Sequence, residues 1–321
     1  MKKIAVLTSG GDAPGMNACI RAVVRSGIYD GMEVYGVKRG YYGLVNNDME
    51  KMEMGSVSDI IQRGGTILYT ARCPEFKTEE GMAVAIANLK ARGIEGLIVI
   101  GGDGSFRGAR DITVRCGIPT IGIPGTIDND LKYTDFTLGF DTACNTVVNL
   151  INNIRDTMTS HERVSVVEVM GRNCGDLALY AGVAGGAEAI IVPEVETTPE
   201  EVCERVRRSR MRGKRSNIIV LAEGVKGGFD PYAEKLETEL HLSVRTTVIG
   251  HIQRGGAPSM ADRVLASRLG HYAVELLQKG KAGRVVGTVD GKIVDFDILE
   301  AIAMTRPIDM SLFKLAEILA M

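Results

Sequence analysis

The sequence predicts an α/β protein of two similar three-layer halves, each a mainly parallel sheet with helices on both faces. Three observations carry this. Short apolar runs alternate with helical patterns along all 321 residues. Several of these runs end in glycine-rich loops that bear a charged side chain, at residues 9–17, 101–105 and 170–176. Ile61-Gln62-Arg63-Gly64-Gly65 recurs as Ile252-Gln253-Arg254-Gly255-Gly256, an echo of duplication that a glycine-rich chain also produces by chance. No long linker or low-complexity tract separates the halves. The domain edges are therefore soft.

Hydrophobic residues at 45% and charged residues at 24% are ordinary for a soluble globular protein. The net charge of −2 supplies no global positive field for nucleic acid, although arginines beside glycines leave local anion sites open. Six cysteines without a CxxC pair suit reduced thiols in a cytosolic enzyme better than a zinc site or a disulfide frame. Behind Met1-Lys2-Lys3 only a short apolar run precedes Gly10, too little for a signal peptide, and no run approaches the length of a membrane span. A cytoplasmic protein without a membrane partner is expected.

In chain order, residues 3–8 read as a strand. It ends in Ser9-Gly10-Gly11-Asp12-Ala13-Pro14-Gly15-Met16-Asn17, before a helical pattern at Ala18, Ile20, Ala22, Val23 and Val24. Two common phosphate fingerprints fail here: Asp12 stands where the dinucleotide motif needs glycine, and Met16 where a P-loop needs lysine. The loop suits phosphates seated on backbone N–H groups, or simply a tight βα turn. Residues 33–37 form a second strand. Thr78 caps a helix over 78–92, with Glu79 and Glu80 in its first turn and Gly93 at its end. The nearly continuous apolar run 94–100 is a strand buried on both faces. It delivers Gly101-Gly102-Asp103-Gly104-Ser105 at the start of a helix, where the dipole favours phosphate. A lone Asp beside phosphate calls for an intervening cation, so Asp103 reads as a magnesium ligand; the alternative is a helix N-cap. The strand 119–123 then leads into Pro124-Gly125-Thr126-Ile127-Asp128-Asn129-Asp130. Ligands of open parallel sheets bind at this edge. Asp128 is suited to take a proton from a hydroxyl, and Thr126 and Asp130 to hold a metal or orient a neighbour. The same residues also suit a turn.

The second half begins with a long helix, 139–158. Arg163 precedes a strand, 164–169, that ends in Met170-Gly171-Arg172-Asn173-Cys174-Gly175-Asp176. A helix from Leu177 and a strand at 189–192 follow. The basic helix 199–211 ends in Arg210-Met211-Arg212-Gly213-Lys214-Arg215, either a solvated last turn or an anion site. Strand 218–222 carries Glu223 at its end. Strand 244–249 delivers Gly250-His251-Ile252-Gln253-Arg254-Gly255-Gly256. A helix over 262–278, a hairpin of 284–289 and 292–295 about Asp290-Gly291, and short last helices complete the chain.

Together, the loops 7–17, 101–105, 124–130, 170–172 and 250–256 resemble the bacterial ATP-dependent 6-phosphofructokinases, the phosphofructokinase A family. The resemblance covers essentially the whole chain, and its PGTIDND and HIQRGG segments are highly specific. It implies the phosphofructokinase fold of two Rossmann-like domains, the larger, residues 1–139 plus 257–303, binding ATP and the smaller, 140–256 plus 304–321, binding fructose 6-phosphate. It implies transfer of the ATP γ-phosphoryl to the sugar's 1-hydroxyl, in glycolysis, with Mg²⁺, by a homotetramer whose sites are shared across interfaces. By the same resemblance Asp128 is the base, Thr126 holds the substrate side, Asp130 supports the charge arrangement and Arg172 stabilises the transferring phosphoryl. Asp103 binds Mg²⁺. Gly11, Arg72, Cys73 and the loop Gly102, Asp103, Gly104, Ser105 line the ATP site. Thr126, Ile127, Asp128, Met170, Gly171, Arg172, Glu223, His251, Ile252, Gln253 and Arg254 bind the sugar phosphate, joined by Arg163 and Arg245 from a neighbouring subunit.

The resemblance also implies an effector site made by Arg21, Arg25, Asp59, Arg155, Gly186, Ala187, Glu188, Arg212, Lys214, Arg215 and Ser216. It would take ADP or GDP as activator and phosphoenolpyruvate as inhibitor. Arg21 and Arg25 lie four apart, on one helix face, and suit one phosphate group. Met54 departs from relatives that carry arginine there. Pyrophosphate-using relatives typically carry Asp at position 104 and Lys at 125; Gly104 and Gly125 point to ATP. Another kinase with a GGDG loop lacks the PGTIDND and HIQRGG pair. A nicotinamide oxidoreductase is disfavoured because Val37-Lys38-Arg39 stands where a ribose-binding acid is expected. A non-catalytic regulatory subunit is expected to lack Asp103 or Asp128.

Overall fold

The computed structural model describes residues 1–305 and 307–320. Its strands are β1 (Lys3–Thr8), β2 (Glu33–Val37), β3 (Met49–Met52), β4 (Gly96–Gly101), β5 (Thr120–Pro124), β6 (Val164–Val169), β7 (Ala189–Ile191), β8 (Asn217–Ala222), β9 (Val244–Val248), β10 (Arg284–Val289) and β11 (Lys292–Asp297). Its helices are α1 (Met16–Tyr29), α2 (Tyr41–Val45), α3 (Glu79–Ala91), α4 (Asp103–Cys116), α5 (Phe140–His161), α6 (Asp176–Ala184), α7 (Pro199–Met211), α8 (Asp230–Leu240), α9 (Met260–Gln278), α10 (Ile298–Ala303) and α11 (Met310–Leu319).

The chain divides into two compact units. The first comprises Met1–Ile127, Leu131–Thr142 and Arg254–Thr305. Its seven-stranded sheet runs β11-β10-β5-β4-β1-β2-β3, parallel except at its two edges. The central strands β4 and β5 are buried along their whole length, which explains their unbroken apolar sequence. The hairpin of β10 and β11 turns at Asp290 and Gly291, both with positive φ. Thr78 Oγ1 caps α3 by accepting from the Gly81 N–H at 3.0 Å.

The second unit comprises Asp128–Asp130, Ala143–Gln253 and Arg306–Met321. Its four-stranded sheet, β7-β8-β6-β9, is wholly parallel. Thr198 and Glu201 form a reciprocal capping box at α7, with Pro199 in the first turn. The two sheets share a parallel plan but differ in size, so the expected similarity of the halves holds for the plan alone. Three elements were not expected. β3 is a four-residue antiparallel edge and α2 has five residues, both short enough to leave little periodicity. α8 buries only Tyr232 and Leu236, two anchors one turn apart.

Candidate active site

In the first unit the loops after β1 and β4 are tied together. The Ser9 N–H donates to the Ile100 carbonyl at 2.9 Å, and Ser105 Oγ to Ser9 Oγ at 2.9 Å. Gly102, not Asp103, occupies the cap position of α4, and it makes no side-chain cap bond. Asp103 lies in the first turn, so the reading of that residue as an N-cap is corrected. A Cβ at Gly104 would meet nothing within 4 Å, so the space beside this helix start is open. Gly125 differs: a Cβ there would lie 3.0 Å from both Ile100 and Met16. Buried Tyr41 hydrogen-bonds the Ser105 carbonyl and stacks on Phe76 with ring centroids 4.1 Å apart. Arg72 is exposed and lines a cleft of about 660 Å³ with Arg39, Tyr42 and Asp48. The half-buried Cys73 thiol lies 3.5 Å from Glu75, and burial raises its pKa. Arg254 also belongs to this unit: its Nη1 reaches the Asp12 carbonyl at 3.5 Å and its guanidinium covers Gly11. Thr126 and Ile127 end the first segment, where the Thr126 carbonyl accepts from Thr137 Oγ1 at 2.6 Å.

In the second unit the carboxyl ends of β6, β8 and β9 meet the short segment 128–130. Asp128 is 3% exposed. Arg172 places Nε 3.9 Å from Asp128 Oδ2 and Nη1 3.5 Å from Asp130 Oδ2. Both loops carry backbone strain, with φ of 52° at Asn129 and 54° at Arg172. Hydrogen bonds hold that strain in place. The Arg172 N–H donates to Glu223 at 2.8 Å, and Asn129 Nδ2 to buried Asp176 at 2.9 Å. Gly171, at φ 129°, precedes the turn. The Met170 N–H donates to Gln253 Oε1 at 3.1 Å, and Gln253 Nε2 donates to the Gly250 carbonyl at 3.0 Å. Gln253 is fully buried and engaged in these two bonds, so it holds the loop that presents the exposed His251 and Ile252. Asn129 and Asp176 escaped the sequence reading as site residues; the signal was their place in the two acid-bearing loops.

Arg163 and Arg245 stand apart from these residues. Arg163 precedes β6, and Arg245 pairs with Ser165 near the start of the same strand. Met170, Arg172 and Glu223 lie at the other edge. At roughly 3.3 Å per residue, the edges of this sheet are about 15 Å or more apart.

A cavity of about 270 Å³ is lined by Gly186, Ala187, Glu188, Ser209, Arg212, Lys214 and the end of α11. Glu188, 3% exposed, contacts Lys214 Nζ and accepts from the Ile218 N–H at 2.5 Å. Arg155 donates to the Gly185 and Gly186 carbonyls beside it. Arg215 pairs instead with Glu162 at 2.5 Å, and Ser216 Oγ lies 3.1 Å from Thr159 Oγ1, so neither lines the cavity. Arg21, Arg25 and Asp59 belong to the first unit, where the two arginines are half-buried on α1.

Parallel sheets whose carboxyl-end loops carry glycines, buried acids and arginines define an α/β protein built to handle phosphate groups. Residues 3–277 match the phosphofructokinase family. The chain is 59% identical over 320 residues to the ATP-dependent 6-phosphofructokinase of Clostridium botulinum (strain Hall), with 100% of both chains covered. It is 58% identical over 317 residues to that of Bacillus subtilis (strain 168), with 99% of each covered. The solved phosphofructokinase of Saccharomyces cerevisiae superposes with a TM-score of 0.90 at 36% identity over 100% of this chain; the chain spans 48% of that longer one. The chain belongs to the phosphofructokinase family.

Proposed function

We propose that this chain transfers the γ-phosphoryl of ATP to the 1-hydroxyl of fructose 6-phosphate, giving fructose 1,6-bisphosphate and ADP in glycolysis. The observation that carries the reading is buried Asp128 facing the loosely held guanidinium of Arg172 at 3.9 Å. Full-length identity to relatives named for this activity supports it. The first unit holds the nucleotide on Gly11, Arg72, Cys73 and the 102–105 loop; the second holds the sugar phosphate. Asp128 accepts the 1-hydroxyl proton, and burial shields it from competing water. Arg172, engaged only at 3.5–3.9 Å, turns to the charge developing on the phosphoryl oxygens. Met170, Gly171, Glu223 and His251 of the second unit take the sugar phosphate, and Thr126, Ile127 and Arg254 are proposed for the same substrate.

Among the described residues no three His, Cys, Asp or Glu side chains gather to hold a metal by themselves. A single carboxylate at a helix start suits Mg²⁺, which keeps waters and phosphate oxygens as its other ligands, so Asp103 fits the role. When bound, the ion neutralises charge on the nucleotide's terminal phosphates. The open space at Gly104 supports ATP as donor, and a side chain at Gly125 would press on Ile100 and Met16, each 3.0 Å from a Cβ there. Arg163 and Arg245, at the far edge of their own sheet, suit a neighbour's site in a homotetramer. The cavity at Glu188 and Lys214 suits ADP, GDP or phosphoenolpyruvate as effectors.

A coupled assay with fructose 6-phosphate, Mg²⁺ and either ATP or pyrophosphate tests the reading. Turnover with ATP alone is expected; turnover with pyrophosphate alone defeats the donor argument. Mixed tetramers of Asp128→Asn and Arg245→Ser subunits are expected to recover some intact sites.

A further inference from the structure

Three loops of the first unit lock onto one another through a residue with no role in the site so far described. Asn17 closes the first glycine loop and is 1% exposed. Its Nδ2 donates to the carbonyls of Arg63 and Gly64, each at 3.1 Å, and its Oδ1 accepts from the Ile67 N–H at 2.7 Å. Both ends of this side chain therefore hold the segment 63–67. Gly64 in turn lies against Gly256, whose carbonyl a Cβ at position 64 would strike. Two residues before Gly256, the Arg254 guanidinium lies on Gly11, in the space a Cβ there would take. Its Nη1 is 3.5 Å from the Asp12 carbonyl, which closes the circuit back to the first glycine loop.

The segments that meet at Gly64 and Gly256 are the two copies of Ile-Gln-Arg-Gly-Gly. They share more than sequence. The residue three before each glutamine has positive φ, 54° at Asp59 and 61° at Gly250. Each glutamine Nε2 donates back to that residue's carbonyl, at 2.9 and 3.0 Å. Each copy ends on a glycine of positive φ, Gly65 and Gly256. The recurrence therefore repeats one glutamine-to-backbone bond and a positive φ at each end, although residues 250–254 form a 3-10 helix and residues 59–63 a turn.

We infer that Asn17 is a positioning residue for the phosphoryl-transfer reaction: through Gly64 and Gly256 it fixes the Arg254 guanidinium beside Gly11. The inference rests on the proposed roles of Arg254 and Gly11. It assigns Asn17 no contact with either substrate. Its effect on catalysis passes through Arg254, and disappears when Arg254 is gone.

The test makes Asn17→Ala and Gly64→Ala, each alone and combined with Arg254→Ala. It measures steady-state kinetics and the amide hydrogen exchange of residues 60–67 and 254–257. Asn17→Ala is expected to raise KM for fructose 6-phosphate about tenfold while kcat falls less, because a displaced Arg254 weakens ground-state and transition-state binding of the sugar phosphate alike. In the Arg254→Ala background the same change is expected to move KM less than about twofold. Exchange at 254–257 is expected to quicken in Asn17→Ala, and Gly64→Ala serves as the second variant if Asn17→Ala does not fold. An equal KM factor in both backgrounds overturns the inference, as does unchanged exchange at 254–257 in a folded variant. A wild-type protein that does not turn over fructose 6-phosphate with ATP overturns the proposed function instead, and that result is read from the wild type alone.

Discussion

Two ion pairs of the second unit use the same ingredients and are built in opposite ways. Asp128 and Glu188 are each 3% exposed, and each faces a more exposed cation, Arg172 or Lys214. Glu188 is closely engaged, in contact with Lys214 and with the Ile218 N–H at 2.5 Å. Around Asp128 the guanidinium stands off at 3.9 Å and divides itself with Asp130 at 3.5 Å. A buried carboxylate whose charge is met by close hydrogen bonds and a cation is costly to strip of either partner. A loosely engaged arginine on a strained backbone is free to follow charge that appears only during reaction. The contrast teaches that separation and backbone strain, rather than residue type, distinguish the two pairs.

Four experiments break or sharpen that contrast, in descending order of effect. Asp128→Asn is expected to lower kcat by roughly 10³-fold with binding of fructose 6-phosphate mostly kept. A loss confined to KM makes Asp128 a binding group and erases the distinction. Arg172→Lys keeps the charge but loses the planar fork, and a kcat loss of roughly 10²-fold is expected from steady-state kinetics. Lys214→Met leaves the Glu188 charge without its cation. Because Lys214 is 45% exposed, water compensates in part, and a stability loss of about 1–2 kcal/mol is expected by urea titration, with kcat unchanged in the absence of effectors.

The smallest effect concerns Glu168 on β6, whose pKa is raised first by burial and then by neighbouring Glu223. A carboxyl raised on folding binds its proton more tightly in the native state. Its contribution to stability is present below the unfolded-chain value and is lost as pH rises through the folded value. Glu168→Gln is therefore expected to match the wild type in acid and to melt about a degree higher at neutral pH. Equal melting curves at all pH values would show that the charged form of this half-buried carboxyl costs the fold nothing.

The residues proposed for the chemistry could be picked out in the chain because they lie in short contiguous loops. Asp128, Asp103 and Arg172 each follow an apolar strand, and a strand's carboxyl end is readable from the run before it. Gln253 shows the limit. In the sequence it belongs to the same motif as His251 and Arg254, yet it is buried between Met170 and Gly250 while His251 is exposed. Arg215 and Ser216 similarly share a motif with Lys214 but turn away towards α5.

By itself the sequence determined the strands, most helices and the glycine-rich loops at strand ends, since periodicity, caps and glycine turns act over a few residues. Only the tertiary structure decided which partners those loops acquire: Arg254 on Gly11, Gly64 against Gly256, Arg163 and Arg245 at the far edge of their sheet. Such contacts join residues tens to hundreds of positions apart. Their formation depends on strand order and chain path, which no local pattern of residues encodes.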